Sequence, residues 1–387
     1  MAVAGLRGSG SYNADERPTN YRGVLALLNP NTKAPLTCLT GAMRDMPTDD
    51  PEYNCFVKPW PAQRAVVSAT VNTTVTTITL QGTGSQTVFK VGHAIINEAT
   101  QEVMWVTDAA TDKQILVERG KGSTAAAIAT SAGLMVLGSH HEEGASVPAA
   151  ITYDPTVVTN FTQIFRTVID ITGTAQATRL RYVDNPLVEL KREALEIHAI
   201  EMEKQFFFGS GVEGTAESGQ KQRTTKGLFF FISTNVTDFA DSATIEDWEG
   251  YLEDVFEDGN NEKMHFLGNR QLRILNSMAR GHGEININPR TDAFGLQVMT
   301  WITPFGTLAL TQHPLFSKNP TFNDWAFTVD MTKVYYRYLR GRDTKYLQNR
   351  QSPGDDANKD EFLTECGLEI DFEQYHGVAQ NLSAFAA

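Results

Sequence analysis

Cysteine is scarce in this chain. Its 387 residues hold three, Cys38, Cys55 and Cys366, an odd number at wide spacing. That argues against a disulfide framework and a zinc site and suits a reducing compartment. Long apolar runs are also missing: nothing approaches the roughly 18 consecutive residues of a membrane-spanning helix. The opening stretch, MAVAGLRGSGSYNADERPTNYR, has no apolar h-region, so it does not read as a signal peptide. Positive charge is in deficit. Lys and Arg number 33 against 46 Asp and Glu, a formal net charge of −13. A chain so acidic does not coat nucleic acid through a general basic surface.

Recognisable catalytic patterns are lacking too. There is no Gly-x-Ser-x-Gly elbow and no Cys/His pairing signature. His140-His141-Glu142-Glu143 offers donor atoms, but neighbouring side chains on an extended segment point apart, so it reads as a polar linker. His198-x-x-Glu201 is half of a helical di-metal motif, and no second long helix supplies the other half, so His198 reads as a packing residue. The glycine-rich runs GSGVEG (209–214) and RGKGST (119–124) miss the phosphate-loop pattern, because Gly122 follows the Gly-Lys pair. These readings leave no catalytic, cofactor-binding or metal residue, no cofactor, and no enzyme.

What is present is one long helix. In residues 185–208, Asn185 is a good N-cap and Pro186 stands at the first helical position. Leu187, Leu190 and Ala194 share a face, as do Leu195, Ala199, Met202 and Phe206, with charged residues between. Gly209 is a natural stop. Such a rod is about 36 Å long, enough to cross a domain. It is the expected spine.

Other stretches arrange themselves around it. Residues 1–20 read as a flexible arm, and 21–61 as an extended, proline-interrupted segment in which only 21–28 suits a short helix. Its leucines, Phe56 and Trp60 favour binding along another surface. Residues 66–139 are threonine-rich, with short alternating runs parted by glycine, the pattern of a small barrel or sandwich. Its expected apolar set includes Val75, Ile78, Leu80, Val91, Ile95, Val103, Trp105, Ile115, Val117 and Leu134. Residues 161–173 predict a strand, and 209–226 a glycine-rich polar loop. A compact α+β domain is expected over 227–325, with helices at 245–257 and 269–280 and a hairpin at Pro304-Phe305-Gly306. Residues 326–345 predict a strand pair, AFTVD and KVYYRYLR. In the last strand Phe362, Thr364, Cys366, Leu368 and Ile370 alternate with Glu365, Glu369 and Asp371, which reads as a half-buried strand with a solvated acidic face.

The order of these parts resembles the major capsid proteins of tailed bacteriophages with the Hong Kong 97-type fold, in the podophage-type family that carries a β insertion. The matching stretches are APLTCLTGAMRDMPTDDPEYNCF (34–56), VGHAIIN with the ERG-x-GST-type turn at 118–124, FTQIFRTVIDITGTAQA (161–177), ALEIHAIEMEKQFFFG (194–209) and FGTLALTQHPLF (305–316). The resemblance implies an α+β fold with a long spine helix, a compact axial domain and an inserted small all-β domain. It divides the chain into an N-terminal arm and start of an extended loop (1–61), an inserted β-barrel domain (62–145), a peripheral domain with the spine (146–226), an axial domain (227–325) and peripheral strands to the C-terminus (326–387). It implies a structural subunit that self-assembles through hexamers and pentamers into an icosahedral head around double-stranded DNA. The partners implied are other copies of the chain, a separate scaffolding protein, a portal, possible cement proteins, and packaged DNA touched without sequence-specific binding. No membrane is involved, and the place is the virion, built in the host cytoplasm. The rival readings are a tail or baseplate protein, or a cytoplasmic enzyme or carbohydrate-binding protein with 66–139 as its binding module.

Overall fold

In the computed structural model the described residues are 44–58, 60–109, 111–144, 154–178, 186–282, 287–291 and 297–385. The arm, Cys38, Asn185 and most of the 21–61 segment lie outside them. The chain divides into two compact units, one of residues 1–57 and 157–387, the other of residues 58–156.

The larger unit holds two sheets. In the first, the order is Asp45–Thr48, Val334–Leu339, Ala357–Ile370, Gln163–Thr172, with Lys345–Leu347 continuing the pairing along the same edge of Ala357–Ile370. Ala357–Ile370 is its central strand, and all ten residues of Gln163–Thr172 pair antiparallel with it. Phe165, Ile169 and Ile171 are buried on one face of Gln163–Thr172, and Ile164 and Val168 are exposed on the other. The parity of the strand places Ile171 with Phe165, not with Ile164 and Val168.

The spine helix, Pro186–Phe208, packs on this sheet. Its buried row is Ala194, His198, Met202 and Phe206, at four-residue spacing. Leu195, expected inside, is 47% exposed. The face is rotated by about one residue because His198, a residue that a count of apolar positions passes over, occupies its centre. Residues 209–226, expected as a loop, form a hairpin: Glu213–Thr215 pairs with Lys221–Arg223, and Glu213 bridges both Lys221 and Arg223. The chain returns so tightly that a Cβ on Gly209 would lie 2.2 Å from the Thr225 carbonyl oxygen, and one on Gly227 would lie 2.7 Å from that of Phe206. Glycine is required at both.

The second sheet runs Val236–Asp238, Gly377–Gln380, Ala326–Val329, Glu262–Leu267, Thr307–Gln312, Gln297–Ile302, Ile287–Thr291. Gln297–Ile302 and Thr307–Gln312 form the expected hairpin, closed by Thr303 N–H on the Gly306 carbonyl at 2.8 Å. Ala326–Val329 and Val334–Leu339, expected to pair with each other, belong to different sheets. The short helical turn Met331–Lys333 between them turns the chain from one sheet to the other. The 325/326 boundary therefore cuts through a single sheet, which is completed by Ala326–Val329 and Gly377–Gln380. One core, with Phe206, Phe207, Phe266, Phe327, Cys366 and Leu368, joins the two sheets. A second core lies under helices Ile245–Phe256 and Asn269–His282, around Trp248, Tyr251, Leu252, Leu275, Leu308 and Leu310. The second helix runs two residues beyond its expected end at 280. Thr244 and Asp247 form a reciprocal cap at the start of Ile245–Phe256. Lys263 closes its other end, donating to the Val255, Asp258 and Tyr375 carbonyl oxygens at 2.6, 2.7 and 2.8 Å.

The smaller unit is a six-stranded antiparallel sheet in the order Arg64–Val66, Gly133–Ser139, His93–Asn97, Val103–Asp108, Gln114–Glu118, Thr77–Thr79. A Val67–Leu80 bridge joins the two edge strands and closes it into a barrel. Its core holds Val67, Ile78, Leu80, Phe89, Ile95, Met104, Val106, Ile115, Val117 and Leu134. Four of its expected members are not in it: Val75 and Val91 are 42 and 61% exposed, and Val103 and Trp105 give way to Met104 and Val106, with Trp105 36% exposed. The run Val-Met-Trp-Val is apolar on both faces, so alternation alone cannot choose between them.

Candidate assembly surfaces

On the spine helix, His198 sits between two strands. Its Nδ1 lies 3.0 Å from Thr167 Oγ1 and its Nε2 2.8 Å from Thr364 Oγ1. Burial holds the ring below the usual histidine range. Glu201 is exposed, so the two do not form a ligand pair. A second buried polar residue on the helix was not foreseen. Glu203 Oε1 lies 2.7 Å from His313 Nε2, both side chains wholly buried. Because His313 Nδ1 accepts from the Leu315 N–H at 3.2 Å, its proton stands on Nε2 and is donated to Glu203. The helix thus carries a polar clasp at each sheet. On its flanks the helix leaves Val188, Leu195 and Ile197 exposed at 60, 47 and 51%.

The central strand overturns the reading of its acidic face as solvated. Glu361, Glu365 and Glu369 are 2, 5 and 7% exposed. Arg166 and Arg350 bind Glu361, at 2.5 and 3.0 Å. Arg342 binds Glu365 at 2.5 Å, and Arg337 binds Glu369. The guanidinium of Arg166 together with that of Arg350 holds Glu361 below the ordinary carboxylate range against the opposing effect of burial. Arg166 and Arg350 are themselves more than half exposed, so the surface of this sheet presents guanidiniums above hidden carboxylates. Ile164 and Val168 lie among them, exposed. The pattern Glu-x-x-x-Glu-x-x-x-Glu was visible; the arginines come from three other segments and were not.

A two-stranded ribbon, Glu52–Val57 with Thr156–Phe161, is tied to the central strand. Tyr53 Oη and Asn160 Nδ2 both donate to the Leu368 carbonyl, at 2.8 and 2.7 Å. A Cβ at Gly367 would lie 2.5 Å from Tyr53 Oη, so the crossing requires glycine there. Cys55, Glu369 and Asp371 bring donor atoms within 4.8 Å of one another. Burial pushes the Cys55 thiol up to about 11 and also raises Asp371, while Arg337 already engages Glu369, which makes a poor cation site.

In the barrel, the ERG-x-GST stretch is a structural knot. Glu102, wholly buried, accepts from Arg119 at 2.6 and 2.8 Å and from the Gly120 and Ala126 N–H groups. Arg119 also donates to the Asn72, Val75 and Ala126 carbonyls. Burial acts to raise Glu102, but these donors outweigh it and hold it low. Ser123 Oγ accepts from Val103 N–H at 2.8 Å. His140 stacks on Trp105 with centroids 4.2 Å apart, a packing contact.

The SU10 major capsid protein profile matches residues 6–383. The chain belongs to this family. It is a major capsid protein, a structural subunit of a phage head. A relative named major capsid protein, from Pseudomonas phage PaMx41, is 28% identical over 351 residues, covering 88% of this chain and 83% of its own. Among solved structures, the capsid of an empty GTA particle aligns over 98% of both chains at 8% identity and a TM-score of 0.46. That of Microbacterium phage Oxtober96 covers 95% of this chain and 96% of its own at 12% identity and TM-score 0.41. An encapsulin complex from Synechococcus elongatus PCC 7942 covers 59% of this chain and 76% of its own at 14% identity and 0.42. At these scores the superpositions add no argument; the profile match carries the assignment. The observed parts of this capsid protein, a 23-residue spine helix, a second sheet with its own helices and an inserted barrel, are those expected of the Hong Kong 97-type fold.

Proposed function

We propose that the subunit closes an icosahedral head of hexamers and pentamers by burying, against neighbouring copies, the surfaces left apolar in a single chain. The observation that carries this reading is the pairing of a polar-clasped interior with exposed Val188, Leu195 and Ile197 on the spine helix and Ile164 and Val168 on the adjoining sheet. Exposed apolar patches mark interaction sites, and these residues are the candidates for such contacts on this unit. The five-stranded sheet with the spine acts as the peripheral domain, and the seven-stranded sheet with its helices as the axial domain. The arm and ribbon start an extended loop that reaches neighbours. A separate scaffolding protein guides closure, a portal occupies one vertex, and cement proteins are candidate outer partners. Packaged double-stranded DNA lies along the inner wall without sequence-specific contacts, consistent with the net charge of −13. Assembly takes place in the bacterial cytoplasm, and the subunit performs no catalysis. The test is size-exclusion chromatography and electron microscopy of the purified chain, alone and with its scaffold. Closed shells support the reading; tubes or rings would assign the chain to a tail, and a persistent monomer would refute assembly.

A further inference from the structure

The outward side of the barrel is apolar across three neighbouring strands. Ile95, Met104, Val106 and Leu134 fill the inside, so the residues between them face out. The register sets Met135, Ile96 and Val103 side by side across Gly133–Ser139, His93–Asn97 and Val103–Asp108, and it sets Ala94 beside Trp105 two residues along. The pairing slips by one residue next to Leu137, and Met135 and Leu137 are 42 and 51% exposed. A contiguous apolar patch of this kind marks an interaction site, whereas single exposed residues do not.

Ion pairs bound the patch on both sides. Arg64 stands opposite Met135 in register and clasps Glu98 at 2.6 and 2.8 Å. The clasp crosses the strand at Gly133, where a Cβ would lie 2.0 Å from Glu98 Oε2, so the crossing requires glycine. On the other side Glu118 stands opposite Trp105 and bridges Lys121 at 2.6 Å. Lys121 Nζ also lies 4.5 Å from the centre of the Trp105 ring. Each side of the patch thus carries one charge of either sign.

Such a face is complementary to itself. A two-fold axis along its middle strand, His93–Asn97, lays Met135 and Leu137 of one copy over Val103 and Trp105 of the other. The same rotation brings Arg64 and Glu98 to the side that holds Glu118 and Lys121, where opposite charges can meet. The size of the patch selects the occupant. Three strands at about 4.8 Å spacing and four residues at about 3.4 Å give roughly 200 Å² per copy. A stable free complex buries about 800 Å² per partner, so a soluble partner would not hold here. Copies already tethered in one shell meet at effective concentrations on the order of millimolar, where a contact this small still forms.

We propose that this face of the barrel meets the same face of a second copy across a two-fold axis in the assembled shell. The inference rests on the shell-subunit reading.

The test uses the full chain with Cys38 and Cys55 replaced by serine, which leaves only the wholly buried Cys366. Ala94→Cys puts a thiol on the proposed axis, and Thr73→Cys puts one on an exposed turn of the same barrel. Each variant is assembled and treated with a short bis-maleimide. Covalent dimers are expected from Ala94→Cys shells, and neither from its unassembled subunits nor from Thr73→Cys shells. Met135→Glu, at an exposed position, is expected to keep the parent's circular dichroism and to need about tenfold more protein for assembly, because a carboxylate then faces an apolar surface. Normal shells that give no Ala94→Cys dimers, or that link Thr73→Cys equally, would overturn the inference, as would Met135→Glu shells formed at the parental concentration. Each of these results leaves the shell reading intact. No shells from the parent chain under any condition would remove the shell reading and the inference with it.

Discussion

His376 and His265 are buried and uncharged at neutral pH. Burial, with Lys263 nearby, lowers His376 to about 4, and burial lowers His265 to about 3, both from 6.5. A depressed histidine leaves stability intact above its unfolded value and removes it as the pH falls, because the unfolded chain takes up the proton first. Between pH 6.5 and 4 the second sheet is therefore expected to lose stability, by about 3 kcal/mol for His376 alone. Thermal unfolding of the unassembled subunit across that window measures it; a flat melting temperature from pH 7 to 4 contradicts it. On the spine helix, Met202→Asp is expected to abolish soluble subunit, since a buried unpaired charge costs several kcal/mol. Glu196→Gln is expected to change stability by less than about 0.5 kcal/mol. Leu195→Asp separates packing from assembly. Its side chain is 47% exposed, so the variant should give a folded, soluble subunit with impaired shell formation. Loss of folding would mean that the helix face is assigned wrongly.

At the scale of elements, the barrel of residues 58–156 has its own closed sheet, its own core and its own polar knot. Expressed alone, it should unfold cooperatively with a β-type circular dichroism spectrum. Glu102→Gln should destabilise it by about 3–5 kcal/mol, because Arg119 keeps its buried position and loses its counter-charge. Equal melting temperatures for the two would show that the knot is not part of the core. These elements also mark how far the sequence could be read. The spine helix, the 297–312 hairpin and the barrel strands were legible because their signals are local: a proline start, a glycine turn, short alternating runs. The acidic face of Ala357–Ile370 was misread because its cover is remote. Arg166, Arg337, Arg342 and Arg350 reach the glutamates only after three separate segments are in place. For the same reason the Glu203–His313 clasp left no trace in either local pattern. Ala326–Val329 and Val334–Leu339 looked like a pair because neighbours in sequence usually pair, and the turn Met331–Lys333 sends them to different sheets.

At the scale of the whole molecule, the described chain meets its buried glutamates with arginines and its buried Lys263 with backbone carbonyls, and it leaves several large apolar residues exposed. That is the economy of a subunit whose contacts are completed by other copies. Assembly should then rise steeply with concentration, since each interface depends on several copies at once. The most direct measurement is the fraction of protein in closed particles, followed by size-exclusion chromatography and electron microscopy as the purified chain is concentrated with and without its scaffold. The account predicts a sharp threshold above which closed shells of hexamers and pentamers appear. A monomer or small dimer that persists at every concentration, scaffold included, would contradict it.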